Sequence, residues 1–170
     1  MIKTFYPEEI ADSPYVIDYE ELYRQGYRGI IFDIDNTLVE HDADATPEAI
    51  ELIDKVRKIG LQVCLISNND EERVTRFNRD INAQFIYNAK KPLKKSFLNA
   101  MKMMGTDVDT TVFVGDQLFT DVWGANRVGI KTFFVKAISP KEEIQIVLKR
   151  RLERFVLYFY RKRKKRRANT

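Results

Sequence analysis

The sequence predicts an α/β fold with a mainly parallel central sheet, and three observations predict it. Strand-like apolar runs alternate with helix-like amphipathic segments from about residue 18 to residue 135, the pattern of strands joined by right-handed helical crossovers. The helix-like segments open on capping residues and close on glycines. The first strong apolar run ends in two acids, Asp33 and Asp35. In a strand, residues i and i+2 share a face, so both carboxylates are aimed together at a strand's carboxyl end, where open parallel sheets place their ligands. Like charges this close repel unless a cation or a shared proton intervenes, so the pair points to a metal and to acid–base chemistry.

Each element follows from local chemistry. Asp18–Gln25 reads as a short helix stopped by Gly26, and residues 1–27 form a lead-in to the strand Arg28–Phe32. Thr46 fits an N-cap, Pro47 the first helical position and Gly60 the stop, with Ala49, Ile50, Ile53 and Val56 on one face. Leu61–Ile66 is an apolar run of strand length. Asn69 or Asp70 caps a helix over Glu71–Asp80, and Gln84–Tyr87 is a short strand. Leu93–Met104 is a helix ended by Gly105, and Thr110–Val114 a buried strand. Thr120–Val128 is a short helix ending before Gly129, and Lys131–Val135 the last strand. Ser139-Pro140-Lys141-Glu142 is a capping box that opens a helix running to about Tyr160. The chain thus divides into a body over 1–138, a helix over 139–160 and a basic tail over 161–170.

At 170 residues, 44% of them hydrophobic, the chain buries one good core and is not disordered. One cysteine, Cys64, forms no internal disulfide, which fits a reducing cytosol. It lies in an apolar run and is expected to be buried and inert. The first residues lack the apolar core of a signal peptide, and no apolar run approaches the ~20 residues needed to span a bilayer. The net charge of +4 hides a split: residues 149–170 hold eleven Lys/Arg and one acid, Glu153, leaving the rest at −6. An acidic body with a basic tail points to a polyanionic partner, an anionic membrane or a nucleic acid. His41 is expected on a surface loop, and Trp123, Met101, Met103 and Met104 in packing positions.

Four segments at predicted strand ends carry reactive groups: Asp33-Ile34-Asp35-Asn36-Thr37-Leu38, Ser67-Asn68-Asn69, Lys91-Pro92, and Gly115-Asp116-Gln117-Leu118-Phe119-Thr120-Asp121. In order and spacing they resemble the four motifs of the haloacid dehalogenase (HAD) superfamily of phosphatases. Taken singly, each could be ordinary turn chemistry; four in order are not explained that way. The resemblance implies a Rossmannoid three-layer sandwich. It implies Asp33 as the nucleophile that forms an aspartyl-phosphate, and Asp35 as the acid that protonates the leaving alkoxide and then activates water. Asp33, the main-chain carbonyl of Asp35, and Asp116 would hold Mg²⁺. Ser67 and backbone N–H groups near Asn68 would bind phosphoryl oxygens, and Lys91 would neutralise charge on the transferring group. Lys91 is selected over Lys90 because it precedes Pro92. Asp121 is implied either as a metal ligand through water or as a partner orienting Lys91.

HAD enzymes commonly carry a cap domain at one of two points. Here Val39–Ala45 leaves room only for a small flap, and Asn88–Lys90 for nothing, so no cap domain is expected. An open site suits a phosphate on something large: a lipid headgroup, a nucleic-acid end or another macromolecule. Ile144, Leu148, Leu152, Phe155 and Phe159 recur at helical spacing ahead of the basic run Arg161–Arg167. That helix either lies in a membrane interface, where each basic residue near an anionic leaflet contributes about 1 kcal/mol, or packs on the body. Within the superfamily the chain resembles the capless YqeG-type family through Pro7, the four motifs, and Gly124-Ala125-Asn126-Arg127. That family is similar to phosphatidylglycerophosphate phosphatases. The expectation is a Mg²⁺-dependent phosphatidylglycerophosphate phosphatase on the inner, cytoplasmic face of the membrane. The alternatives are a phosphatase for nucleic-acid ends, which would lack a base-stacking platform, and a non-catalytic RNA- or polyanion-binding module, which has no need of both Asp33 and Asp35.

Overall fold

The computed structural model describes residues 2–139 and 152–162. In chain order the elements are β1 (Glu9–Ala11), α1 (Tyr19–Arg24), β2 (Gly29–Phe32), α2 (Pro47–Ile59), β3 (Gln62–Ile66), α3 (Glu71–Asn78), β4 (Gln84–Ile86), α4 (Lys94–Met104), β5 (Thr111–Gly115), α5 (Trp123–Val128) and β6 (Lys131–Val135). All neighbouring strands pair in parallel, in the order β1-β6-β5-β2-β3-β4.

The capping chemistry explains the helix ends. Asp18 accepts from the Glu21 N–H, Thr46 from Ala49 and Asp70 from Arg73, each satisfying a donor that the first turn leaves open. Gly60 and Gly105 close α2 and α4 in the left-handed conformation, at φ of 107° and 68°, where a side chain would be strained.

Two layers of helices cover the sheet. On one face Ile30, Phe32, Val63 and Leu65 pack with Leu22 of α1, Ile53 and Val56 of α2, and Val74 and Phe77 of α3. On the other, Ile31, Cys64, Ile66 and Phe113 pack with Phe97, Ala100 and Met101 of α4 and Ala125 of α5. Each large apolar side chain removed from water contributes roughly 1.5–3 kcal/mol, which holds this three-layer α/β sandwich together. Burial also pushes the Cys64 thiol up to about 12, away from reactivity.

Four details depart from expectation. Strand β1, inside the lead-in, pairs with β6 and adds a sixth strand at the edge. The helix expected from Thr120 begins earlier, with a wide turn over Leu118–Val122 in which the Val122 N–H reaches the Gln117 carbonyl at 3.2 Å. Met103 faces solvent, whereas Met101 and Met104 are buried.

The fourth concerns the C-terminal helix, of which 152–162 is described. Glu153, Val156 and Leu157 face the body, the last two against Leu118, Val122 and Phe134, while Leu152, Phe155 and Phe159, expected on one apolar face, are exposed. Its expected start, with Ile144 and Leu148, lies outside the described residues, as do positions 163–170 of the basic tail.

Candidate active site

Strand order places the site. The chain runs outward from β2 through β3 to β4, then returns to β5 on the other side of β2. The carboxyl ends of β2 and β5 therefore flank a topological switch point, where doubly wound sheets bind ligands. Asp33 follows β2 and Asp116 follows β5. Ser67 follows β3, and Lys91 sits in the loop after β4. The four segments singled out in the sequence meet on one edge.

Asp33 is buried, and its N–H continues the ladder to the Val114 carbonyl at 3.0 Å. Its Oδ1 lies 2.5 Å from Lys91 Nζ, and Lys91 Nζ lies 2.7 Å from Asp121 Oδ1. The Thr37 hydroxyl stands 3.1 Å from Asp33 Oδ2 and 3.2 Å from Asp116 Oδ1. One hydroxyl has one proton to donate, so it serves one carboxylate at a time. Gln117 N–H donates to Asp121 Oδ2 at 3.1 Å.

Burial raises the Asp33 carboxyl above its ordinary range. Lys91 opposes that rise, and the Asp121 and Asp35 charges add to it. Burial alone would lower the Lys91 ammonium; the Asp121 and Asp33 carboxylates outweigh it and hold Lys91 above its ordinary value. A cation amid buried carboxylates stays charged.

Asp33, Asp116 and Asp121 each offer a carboxylate oxygen, all within 4.8 Å of one another and all buried. An all-oxygen, anionic donor set suits a hard divalent cation, so these residues fit a metal. Asp121 both touches Lys91 and is one of the three acids of this cluster. The Asp35 side chain lies outside that cluster. It accepts from the Asp42 N–H at 2.8 Å, Asn69 Nδ2 at 2.8 Å and Arg73 Nη2 at 2.9 Å.

Ser67 is buried, and its Oγ accepts from the Asn69 N–H at 3.1 Å. The Asn68 side chain brackets the lysine: its Oδ1 accepts from the Lys91 N–H at 2.7 Å and its Nδ2 donates to the Lys91 carbonyl at 3.4 Å. Lys90, by contrast, is exposed. His41 sits on the flap, half exposed, with Nδ1 3.8 Å from Asp35 Oδ1.

Sequence reasoning missed Arg73 and the side chain of Asn69. Arg73 is buried, bonds Asp35, and lies 3.5 Å from Asp42; Arg76 bonds Asp42 and Asp44 at 2.5 and 2.9 Å. Together they tie the 39–45 flap to α3. The available signal was an arginine next to Val74 and Phe77 on the inward face of a helix that begins just after Ser67-Asn68-Asn69.

Glycine at 115 is a spatial requirement. A Cβ there would lie 2.6 Å from Asp121 Oδ2 and 2.7 Å from the Phe113 ring. Gly115→Ala should lower stability by about 1–3 kcal/mol through overpacking and cut activity at least about tenfold by displacing Asp121. Thermal melts and initial rates check both effects.

A model of haloacid dehalogenase-like hydrolases matches residues 40–129. The chain is 38% identical over 159 residues to a probable phosphatase, YqeG, of Bacillus subtilis, covering 92% of each. It is 28% identical over 148 residues to the chloroplastic/mitochondrial phosphatidylglycerophosphate phosphatase 1 of Arabidopsis thaliana, covering 81% of this chain and 42% of that one. The cobalt-bound deoxy-D-mannose-octulosonate 8-phosphate phosphatase of Haemophilus influenzae shares the fold, with a TM-score of 0.56 and 19% identity over 72% of this chain and 74% of that one. The buried acid–lysine cluster at the switch point and the near full-length match to a phosphatase agree: the chain belongs to the haloacid dehalogenase-like hydrolases and is a phosphatase of that family.

Proposed function

We propose that the chain is a Mg²⁺-dependent phosphatidylglycerophosphate phosphatase, working through an aspartyl-phosphate on the inner face of the membrane. The observation that carries the chemistry is the contact of Lys91 with both Asp33 and Asp121, beside Asp116, at the switch point. Asp33 Oδ attacks phosphorus, the P–O bond to the glycerol breaks, and Asp35 gives its proton to the departing alkoxide. Water then attacks the phosphoryl group, Asp35 takes a proton from it, and inorganic phosphate leaves with Asp33 restored. Lys91, Ser67 and the backbone near Asn68 bind the phosphoryl oxygens. Asp33, Asp116 and the Asp35 carbonyl would hold Mg²⁺, with Asp121 beside them; when bound, it screens these carboxylates from the phosphate and neutralises developing charge. The cage of Arg73, Asn69 and the Asp42 N–H holds the Asp35 carboxylate in the resting site; to act as the acid it leaves that cage, takes up a proton from solvent and turns to the leaving oxygen.

Two observations support the lipid substrate. One is the similarity to the Arabidopsis thaliana phosphatase. The other is access: among the described residues, only the flap joins the Asp33 loop to α2, and only a short loop joins β4 to Lys91. The test is a phosphate-release panel with Mg²⁺, comparing phosphatidylglycerophosphate in detergent micelles with a 3′-phosphorylated oligonucleotide and small esters. The lipid should give the highest kcat/KM by at least about tenfold. Equal or better turnover of the oligonucleotide or a small ester would overturn the lipid reading and leave the phosphatase standing.

A further inference from the structure

The described C-terminal helix has two unlike faces. Inward, the Glu153 carboxylate accepts from the buried Leu118 N–H at 2.8 Å, two residues past Asp116, and Val156 and Leu157 pack on the body. At its far end the Tyr160 ring meets Tyr6 at 5.3 Å, and its hydroxyl lies 3.5 Å from the Glu8 carbonyl. The described turns therefore run from the catalytic edge, antiparallel to the strands, toward the start of β1. Outward, Leu152, Phe155, Tyr158 and Phe159 are 57, 62, 60 and 38% exposed. The aromatic rings meet edge to face, at 4.9 Å for Phe155–Phe159 and 5.4 Å for Tyr158–Phe159. Arg154, Arg161 and Lys162 are exposed on the same helix, and the chain continues into the rest of the basic run.

We propose that this outward face, Leu152, Phe155, Tyr158 and Phe159 with its basic rim, docks in the interface of an anionic lipid bilayer. The proposal rests on the lipid-phosphatase reading and gives that enzyme its surface. Apolar and aromatic side chains rimmed by Lys and Arg match the acyl–headgroup boundary, where aromatic rings settle and cations meet anionic phosphates. A nucleic acid fits less well: Leu152 offers no π face, and the edge-to-face rings present no flat platform for successive bases. Glu153 fixes the rotation. Because its carboxylate is committed inward to the loop after β5, the aromatics are held outward. A bilayer on this face then lies beside the mouth of the site, where a headgroup phosphate enters.

The test is co-sedimentation of the full chain with vesicles of phosphatidylglycerol and phosphatidylcholine, against phosphatidylcholine alone. Neither lipid is a phosphomonoester, so docking is read apart from turnover. The wild type should bind the anionic vesicles and release from them with salt. A Phe155→Ser/Phe159→Ser variant should bind at least about tenfold more weakly, with p-nitrophenyl phosphate turnover unchanged. A Phe155→Trp variant should gain blue-shifted emission on anionic vesicles. Binding that survives the double substitution, or emission that does not shift, overturns the proposal. So does a dimer without lipid, or retention of an oligonucleotide, that the double substitution abolishes, since a second copy or a nucleic acid would then cover the face. Failure to hydrolyse phosphatidylglycerophosphate in micelles would instead count against the substrate, leaving vesicle binding to stand or fall alone.

Discussion

Asp33→Asn should eliminate phosphate release, by at least on the order of 10³-fold, on every substrate that the wild type hydrolyses. The amide is nearly isosteric, so β2 and its packing remain, but its neutral oxygen is a poor nucleophile and has no carboxylate with which to form an acyl phosphate. Stability should move the other way in the metal-free protein. Burial raises the Asp33 carboxyl to about 7 in the folded state, from an ordinary 3.8. An acid with a raised folded value binds more protons folded than unfolded, so its cost is absent at low pH, grows as pH rises through that window, and is complete above it. In chelator, the Asn variant should therefore match the wild type near pH 4 and gain on it up to neutral pH. Melting curves across that range, beside rates in Mg²⁺, check both halves. A variant that retains turnover would remove Asp33 from the mechanism.

Lys91→Met should be the most damaging change for the fold and nearly as damaging for activity. The lysine is the cation between Asp33 and Asp121. Without it, two buried carboxylates face each other, and the loss of a buried pair's partner costs about 3–5 kcal/mol. The deficit should shrink at acid pH, as the carboxylates protonate, and shrink on adding a divalent cation, which replaces the missing charge. Turnover should fall by about 10²–10³, the scale set by removing one stabiliser of developing charge. Denaturant titrations at two pH values, with and without Mg²⁺, separate the charge effect from a packing effect, which neither protons nor metal would repair.

The catalytic edge was legible because its residues follow strand ends, and an all-parallel sheet brings those ends to one edge whatever the order of the strands across it. Caps and stops at Thr46, Gly60, Asp70 and Gly105 act within a turn of their own position, so they too could be read directly. What escaped depends on contacts between distant segments. β1 is the short stretch Glu9–Ala11 on the sheet edge, and only its pairing with β6 makes it a strand. Arg73 gains meaning from Asp35 and Asp42, which another loop supplies. The rotation of helix 152–162 was hidden because residues 155–160 are apolar or aromatic all round. Periodicity selects no face there; the buried bond from Leu118 to Glu153 does.

The loop that delivers Lys91 has no slack. Asn88 donates to the Asn69 carbonyl, Ala89 to the Ser67 carbonyl and Lys91 to the Asn68 side chain, so the β3–β4 pairing zips on past both strands to the lysine itself. The flap over 39–45 is fastened to α3 through the side chains of Arg73 and Arg76. An engineer seeking to narrow this enzyme's substrate range by grafting a lid should splice it into the flap. The same graft beside Lys91 would unzip the seam that aims the lysine, trading selectivity for an idle site.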